Sequence, residues 1–215
     1  IFAADGFETR AGSRLPPESF AMPQGPVVSA LRAAGAIVVG KTVTTEFAYF
    51  APGPTANPWD LSRTPGGSSS GSAAAVAAGF CSLALGTQTI GSISRPAAYC
   101  GIAGWKPSYE RTSRDGVVPF SPSLDHVGLL APRAADIAVA AALIASGWDA
   151  AAYGAALAKY ARMRPILAVP DGRYLAQADS SALAAFDATV ARLQGAGYSV
   201  IRVAALDDID DINAR

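Results

Sequence analysis

The run Ala73-Ala74-Ala75-Val76-Ala77-Ala78 constrains this chain more than any other stretch, because serine-glycine segments flank it on both sides. Gly66-Gly67-Ser68-Ser69-Ser70-Gly71-Ser72 precedes it and Gly86-Thr87-Gln88-Thr89-Ile90-Gly91-Ser92 follows shortly after. A short helix of such small side chains is not held by its own propensity and has to be packed closely by its neighbours. The stretch therefore predicts a helix over 71–79 seated tightly beneath the two segments it joins. Those segments carry hydroxyls and unhindered backbone N–H groups, and acyl transfer uses both. A hydroxyl attacks a carbonyl carbon, and nearby N–H donors hold the oxyanion that forms. Either segment alone reads as an ordinary polar loop; the pair, joined by this linker, reads as a site.

Composition excludes several alternatives. With 215 residues, 51% hydrophobic and 16% charged, the chain can bury a core of ordinary domain size. Seventeen Lys and Arg balance seventeen Asp and Glu, so no global field draws it to nucleic acid or to an anionic membrane. Its longest apolar runs, over 73–78 and 137–144, fall short of the ~20 residues that span a bilayer, and no stretch reads as a signal peptide. Cys81 and Cys100 do not form a C-x-x-C pair and read as buried, reduced thiols of a cytoplasmic protein. With His126 as the single histidine, neither a metal site nor a cofactor is expected. The chain opens at Ile1-Phe2-Ala3-Ala4-Asp5 without an initiator Met and stops at Asp210-Asp211-Ile212-Asn213-Ala214-Arg215, in what reads as the first turns of a helix. Residues 1–215 are accordingly read as one domain truncated at both ends.

Periodicity places the remaining elements. Val27, Leu31 and Ala34 give a helix from Pro26 closed by Gly35. Ala36-Ile37-Val38-Val39 reads as a short, fully buried strand, and Phe50–Arg63, rich in Pro, Asn and Gly, as a surface loop. Leu83-Ala84-Leu85 leads as a strand into the second serine-glycine segment, and turns and short strands follow Pro107 through Pro122. Ala134–Ala145 reads as an apolar helix with Asp136 in its first turn. Pro165–Val169 and Tyr198–Val203 read as strands around a helix over Ser181–Gln194, whose Leu183, Phe186, Val190 and Leu193 share a face. Helices alternating with short apolar strands predict an α/β architecture with helices on both sheet faces.

Two further motifs are weakened by their context, and the second stays open as an alternative. Gly35-Ala36-Ile37-Val38-Val39-Gly40-Lys41-Thr42 matches the phosphate loop G-x-x-x-x-G-K-[ST] letter for letter, but that loop follows a strand and opens a helix. Here a helix precedes it and a strand fills it, so Lys41 reads as a strand-end residue whose ammonium anchors nearby loops. Gly67-Ser68-Ser69-Ser70-Gly71 fits G-x-S-x-G with Ser69 as nucleophile. A Ser-His-Asp arrangement would then need His126, which follows Asp125 in what reads as a turn entering a strand.

Taken together, Gly66 through Gly79, Gly86 through Ser92, Arg95-Pro96-Ala97-Ala98-Tyr99-Cys100-Gly101 and Gly104-Trp105-Lys106-Pro107 closely resemble the amidase signature family. The flanks, Ala33 through Thr42 and Ser123-Leu124-Asp125-His126-Val127-Gly128, resemble it too. The resemblance implies a three-layer α/β/α sandwich with a mixed central sheet, present here as a fragment. It implies amide hydrolysis by a serine-serine-lysine triad, with Ser92 as nucleophile and Ser68, preceded by a cis peptide bond, as the relay. The N–H groups of Thr89, Ile90, Gly91 and Ser92 would form the oxyanion hole, and Gly67, Ser69, Arg95 and Phe47 would meet the substrate. Arg95 would either bind a substrate carboxylate or brace the loop behind Ser92. The family's catalytic lysine aligns just before Ile1; Lys41 and Lys106 match other family lysines, and these 215 residues alone are expected to be inactive.

Where the family usually has Gly-Gly before the nucleophile, this chain has Ile90-Gly91, so the Ile90 side chain is expected to line the acyl pocket. Phe47, Tyr49, Phe50, Trp59 and the loop Ala51–Asp60 point to a small apolar or aryl amide, with carbamates and urethanes also open. The alternative is the glutaminase subunit of a tRNA-dependent amidotransferase, whose second segment typically reads Asp-Thr-Gly-Gly-Ser. A small-molecule amide is the expected partner, with no nucleic acid and no membrane, and homodimer formation is left open.

Overall fold

A computed structural model describes residues 1–205 and 208–214, so Arg215, at the end of the expected last helix, lies outside the described residues. The chain forms two compact units, Ile1–Trp148 and Asp149–Arg215.

In the first unit β3 (His126–Ala131) is the middle strand of three. β1 (Ala84–Gln88) pairs with it antiparallel, Gln88 opposite His126, and β2 (Ala103–Trp105) pairs on the other edge, Trp105 opposite Leu129. Strand geometry sends alternate side chains to opposite faces. Val127, Leu129 and Ala131 enter one core with Val27 and Leu31 of α1 (Pro26–Ala33) and Ile137, Ala140, Ala141 and Ile144 of α4 (Ala134–Ile144). Leu130 enters a second core with Ala73 and Val76 of α2 (Ser70–Ala77) and Ala97 and Cys100 of α3 (Ser94–Cys100), together with Ile93. Helices thus cover both faces of the sheet, giving the α/β/α layering expected from the alternating pattern. Val127, Leu129 and Leu130 are all fully buried; each such side chain contributes about 1.5–3 kcal/mol. Gly128 lies between them because a Cβ there would sit 2.0 Å from the Trp105 carbonyl oxygen.

α1 ends as its sequence predicts. Gly35 takes φ +90°, its N–H donates to Arg32 O and that of Ala36 to Leu31 O, the paired bonds of a Schellman cap. The expected strand at Ala36–Val39 does not form. Its backbone enters no ladder, and Ile37 and Val39 are 86% and 73% exposed. β-branched composition favours an extended chain, but a strand also needs a hydrogen-bonding neighbour, which this stretch does not find among the described residues.

The second unit pairs β4 (Leu167–Asp171) with β5 (Val200–Ala204) in parallel, Leu167 opposite Val200. The described strands thus form an antiparallel sheet in the first unit and a parallel pair in the second. α5 (Ala150–Arg162) and α6 (Ser180–Gly195) are both N-capped by aspartates, Asp149 accepting from Ala152 N–H and Asp179 from Ala182 N–H. The half-buried positions of α6 include Leu183, Phe186, Val190 and Leu193, the face its periodicity predicts. α7 (Ile209–Asn213) closes the unit. No helix among the described residues is long and apolar enough to cross a membrane.

Candidate active site

The first serine-glycine segment is fixed against Thr42–Thr45, a stretch too rich in β-branched residues to continue as helix. Gly71 N–H donates to Val43 O at 2.8 Å, and the Ser70 hydroxyl donates to the same carbonyl at 3.3 Å. The Thr42 and Ser72 hydroxyls share a bond of 2.8 Å. The Ser68 carbonyl accepts from Thr44 Oγ1 at 3.0 Å and from Thr45 N–H at 3.1 Å. The backbones come this close because position 71 has no side chain; a Cβ there would lie 2.6 Å from both Val43 N and Val43 O. The Gly67–Ser68 peptide bond is cis. Ser68 is 3% exposed, and its Oγ is the one buried side-chain oxygen or nitrogen among the described residues without a hydrogen-bond partner.

β1 delivers the second segment. Ser69 N–H donates to the Ser92 carbonyl at 3.2 Å, so the residue after Ser68 is tied directly to Ser92. The Ser69 hydroxyl is buried and committed, accepting from Thr87 N–H and donating to Thr87 O, both at 3.2 Å. His126 Nδ1 faces the carbonyls of Leu124 at 2.7 Å and Gln88 at 3.3 Å, with its ring edge-on to Tyr109. Ser69 and His126 therefore do not meet, and the Ser-His-Asp arrangement is not assembled.

The turn from β1 into α3 holds its carbonyls inward. Gln88 Nε2 donates to Ile90 O at 3.3 Å, and Gly91 O accepts from Arg95 N–H at 2.8 Å. In a trans peptide the C=O of one residue opposes the N–H of the next, so the Gly91 and Ser92 N–H groups face the other way. Among the described residues the N–H groups of Thr89, Ile90, Gly91 and Ser92 make no hydrogen bond. Thr89 Oγ1 donates to Asp125 Oδ1 at 2.5 Å, while Asp125 Oδ2 accepts from Phe120 N–H and Ser121 N–H, both at 2.8 Å. Sequence reasoning gave neither Gln88 nor Asp125 a role here. A long amide at a strand end just ahead of a glycine turn and a helix was the available signal for Gln88.

The surrounding residues divide. Arg95 packs its guanidinium over Gly91, where a Cβ would lie 3.0 Å from Nη2. It lines a cleft of about 210 Å³ with Gly67, Ser70, Tyr49, Phe50 and Tyr99. Phe47 packs on Phe20, ring centroids 5.9 Å apart. Trp59 donates Nε1–H to Cys100 O at 2.7 Å. Neither lines this cleft nor the larger cavity of about 430 Å³ beside Thr89, Asp125 and His126. Ile90 is 76% exposed and lines neither one, in place of the acyl-pocket position expected for it. Lys41 Nζ donates to Phe2 O, to Thr9 Oγ1 at 2.9 Å and to Glu8 O at 3.2 Å, and burial lowers its pKa. It anchors loops, as its context predicts, and no helix follows it. No group of three or more metal-ligating side chains occurs among the described residues.

A family model described as Amidase matches residues 2–213. A glutamyl-tRNA(Gln) amidotransferase subunit of Anaeromyxobacter sp. (strain K) is 52% identical over 152 residues, covering 67% of this chain and 31% of that protein. Among solved structures, the peptide amidase of Stenotrophomonas maltophilia superposes with a TM-score of 0.75 at 36% identity, over 94% of this chain and 46% of that one. The corresponding glutamyl-tRNA(Gln) amidotransferase subunit from Thermotoga maritima gives a TM-score of 0.79 at 33% identity, over 94% and 48%. The chain thus spans less than half the length of each of these relatives.

Proposed function

This chain belongs to the amidase signature family, and from that premise we propose that the protein carrying it cleaves the C–N bond of a small amide through an acyl-enzyme on Ser92. Ser92 Oγ attacks the carbonyl carbon while its proton passes to Ser68 Oγ, and the Ser68 proton passes to a neutral lysine amine supplied from outside these residues. The oxyanion accepts from the outward N–H groups of the 89–92 turn; losing one such donor typically costs ~10²–10³ in turnover. Collapse breaks the C–N bond as Ser68 returns a proton to the leaving nitrogen, and water then hydrolyses the ester on Ser92. One observation carries this reading: a buried Ser68 hydroxyl with no partner among the described residues, one residue from the Ser69 N–H that holds the Ser92 carbonyl. Leaving a buried hydroxyl unbonded costs about 1–3 kcal/mol, and a relay between a nucleophile and an amine removes that cost.

For the substrate, the cleft bounded by Tyr49, Phe50, Tyr99 and Arg95 beside Gly67 supports an apolar or aryl acyl group, with amides, carbamates and urethanes as the class. The second reading, a glutaminase component working within a tRNA-dependent complex, is favoured by the names of the curated relatives. It is disfavoured by Gln88-Thr89-Ile90-Gly91-Ser92, where such proteins typically carry Asp and Gly-Gly.

The full-length protein should be labelled by a fluorophosphonate on Ser92, located by mass spectrometry, and should hydrolyse an aryl amide unaided. Ser92→Ala should abolish both, and Ser68→Ala should slow turnover by at least ~10². Labelling on Ser69, or none, overturns the proposal; glutamine hydrolysis only with added partner subunits selects the second reading.

A further inference from the structure

Gln88 is 7% exposed and touches both sides of the nucleophile's turn. Its Oε1 accepts from Ile93 N–H at 2.8 Å, Ser94 N–H at 2.9 Å and the Ser94 hydroxyl at 3.2 Å. Two backbone N–H groups can only meet an oxygen, so the amide orientation is fixed and Nε2 is the group turned to Ile90 O, at 3.3 Å. One side chain therefore caps the start of α3 with its acceptor and pulls a carbonyl inward with its donor. Ser92 lies between the two attachment points. Because the Ile90–Gly91 peptide is planar and trans, holding Ile90 O inward turns Gly91 N–H outward. Nothing else in the turn donates to Ile90 O among the described residues.

We propose that Gln88 is a positioning residue for the oxyanion hole: its Nε2–H to Ile90 O bond aims the Gly91 N–H at the oxygen that becomes charged on acylation of Ser92. The inference rests on the acyl-enzyme reading above. An aspartate or glutamate at this position keeps the helix-capping acceptor but, when ionised, loses the donor. Gln88→Glu is therefore the discriminating change, since it preserves size and cap and sets a carboxylate oxygen against a carbonyl oxygen.

The experiment uses the full-length enzyme, an aryl amide substrate, and a peptidyl or aryl aldehyde that adds to serine reversibly and forms an oxyanion. Gln88→Glu should lower kcat by ~10- to 10²-fold with KM within about twofold, as expected for a donor that acts only in the transition state. Aldehyde affinity should fall by a similar factor, while a non-adding ketone or amide isostere binds unchanged. A variant merely damaged in packing would lose all three ligands alike. If the variant folds and both kcat and aldehyde affinity stay within twofold of wild type, the inference fails although Ser92 chemistry stands. If wild type is neither labelled on Ser92 nor active, both fail. A crystal structure of the wild-type adduct tests the same point without a variant. The adduct oxygen should accept from Gly91 N–H with Ile90 O still on Gln88 Nε2; an Ile90 carbonyl turned toward the adduct overturns it.

Discussion

Gly71→Ala separates what helix propensity predicts from what the packing predicts, because the two differ in sign. Gly71 lies in the first turn of α2, where alanine is favoured over glycine by about 1 kcal/mol. An alanine Cβ, however, would lie 2.6 Å from Val43 N and O and 2.9 Å from Thr42 Cβ. Ordinary contact begins near 3.4 Å, so the two backbones must part by about 0.8 Å, the difference of those distances. Overpacking of this kind costs about 1–3 kcal/mol, and stretching the 2.8 Å bond from Gly71 N–H to Val43 O costs about 1 more. Setting the propensity gain against these leaves a net loss of about 1–3 kcal/mol. The urea midpoint of the purified protein, followed by tryptophan fluorescence and far-UV circular dichroism, measures it. Gly154→Ala in α5 is the control: a Cβ there meets nothing within 4 Å, so a gain of about 0.5–1 kcal/mol is expected. Since the moved segment carries Ser68, turnover should also fall by ~10- to 10²-fold. A Gly71→Ala protein as stable as wild type, or more so, would refute the close-packing account of this segment.

Two further outcomes follow from burial. Leu130→Ala, between α2 and α3, should lower stability by about 2–5 kcal/mol in a denaturant titration, whereas Val139→Ala on the solvent side of α4, 72% exposed, should stay within about 0.5; equal effects would contradict the assignment of the second core. Burial lowers the Lys41 pKa in the folded state, so between that value and the unfolded one, near ~10.4, the unfolded chain binds more protons. The group's contribution to stability is thus complete above the unfolded value and lost as pH falls through the folded one. The denaturation midpoint of wild type relative to Lys41→Met should accordingly rise as pH climbs toward the unfolded value, and a flat or falling difference would contradict it.

Much of the fold was legible from local pattern. The period of Leu183, Phe186, Val190 and Leu193 gave the face that α6 half-buries, and Gly35 after Val27, Leu31 and Ala34 gave the cap of α1. Lys41 was separated from a phosphate loop because the flanking elements were in the wrong order, and its three oxygen partners agree. Ala36–Val39 misled because β-branched composition reports a preference for extended backbone, not the presence of a neighbour to pair with. Phe47, Trp59 and Ile90 line neither described cavity, and aromatic and aliphatic residues near a motif carry no information in sequence on which way they point. Gln88 was noticed only as a departure from a familiar pattern, since a side chain that bonds backbone groups two, five and six positions away leaves no periodic trace.

What the amino-acid order determined by itself was chemistry and local geometry: which hydroxyls and small residues recur, where helices start and stop, and which glycines leave room for a second backbone. These depend on a few neighbouring residues, so they are written in short windows. Only the tertiary structure decided which hydroxyl is used up and which is left over. Ser68, Ser69 and Ser70 are the same residue type, yet the Ser69 hydroxyl is bound to Thr87, that of Ser70 to Val43, and that of Ser68 to nothing among the described residues. That difference comes from where β1 and the Thr42–Thr45 stretch pass the segment, contacts made across distant parts of the chain.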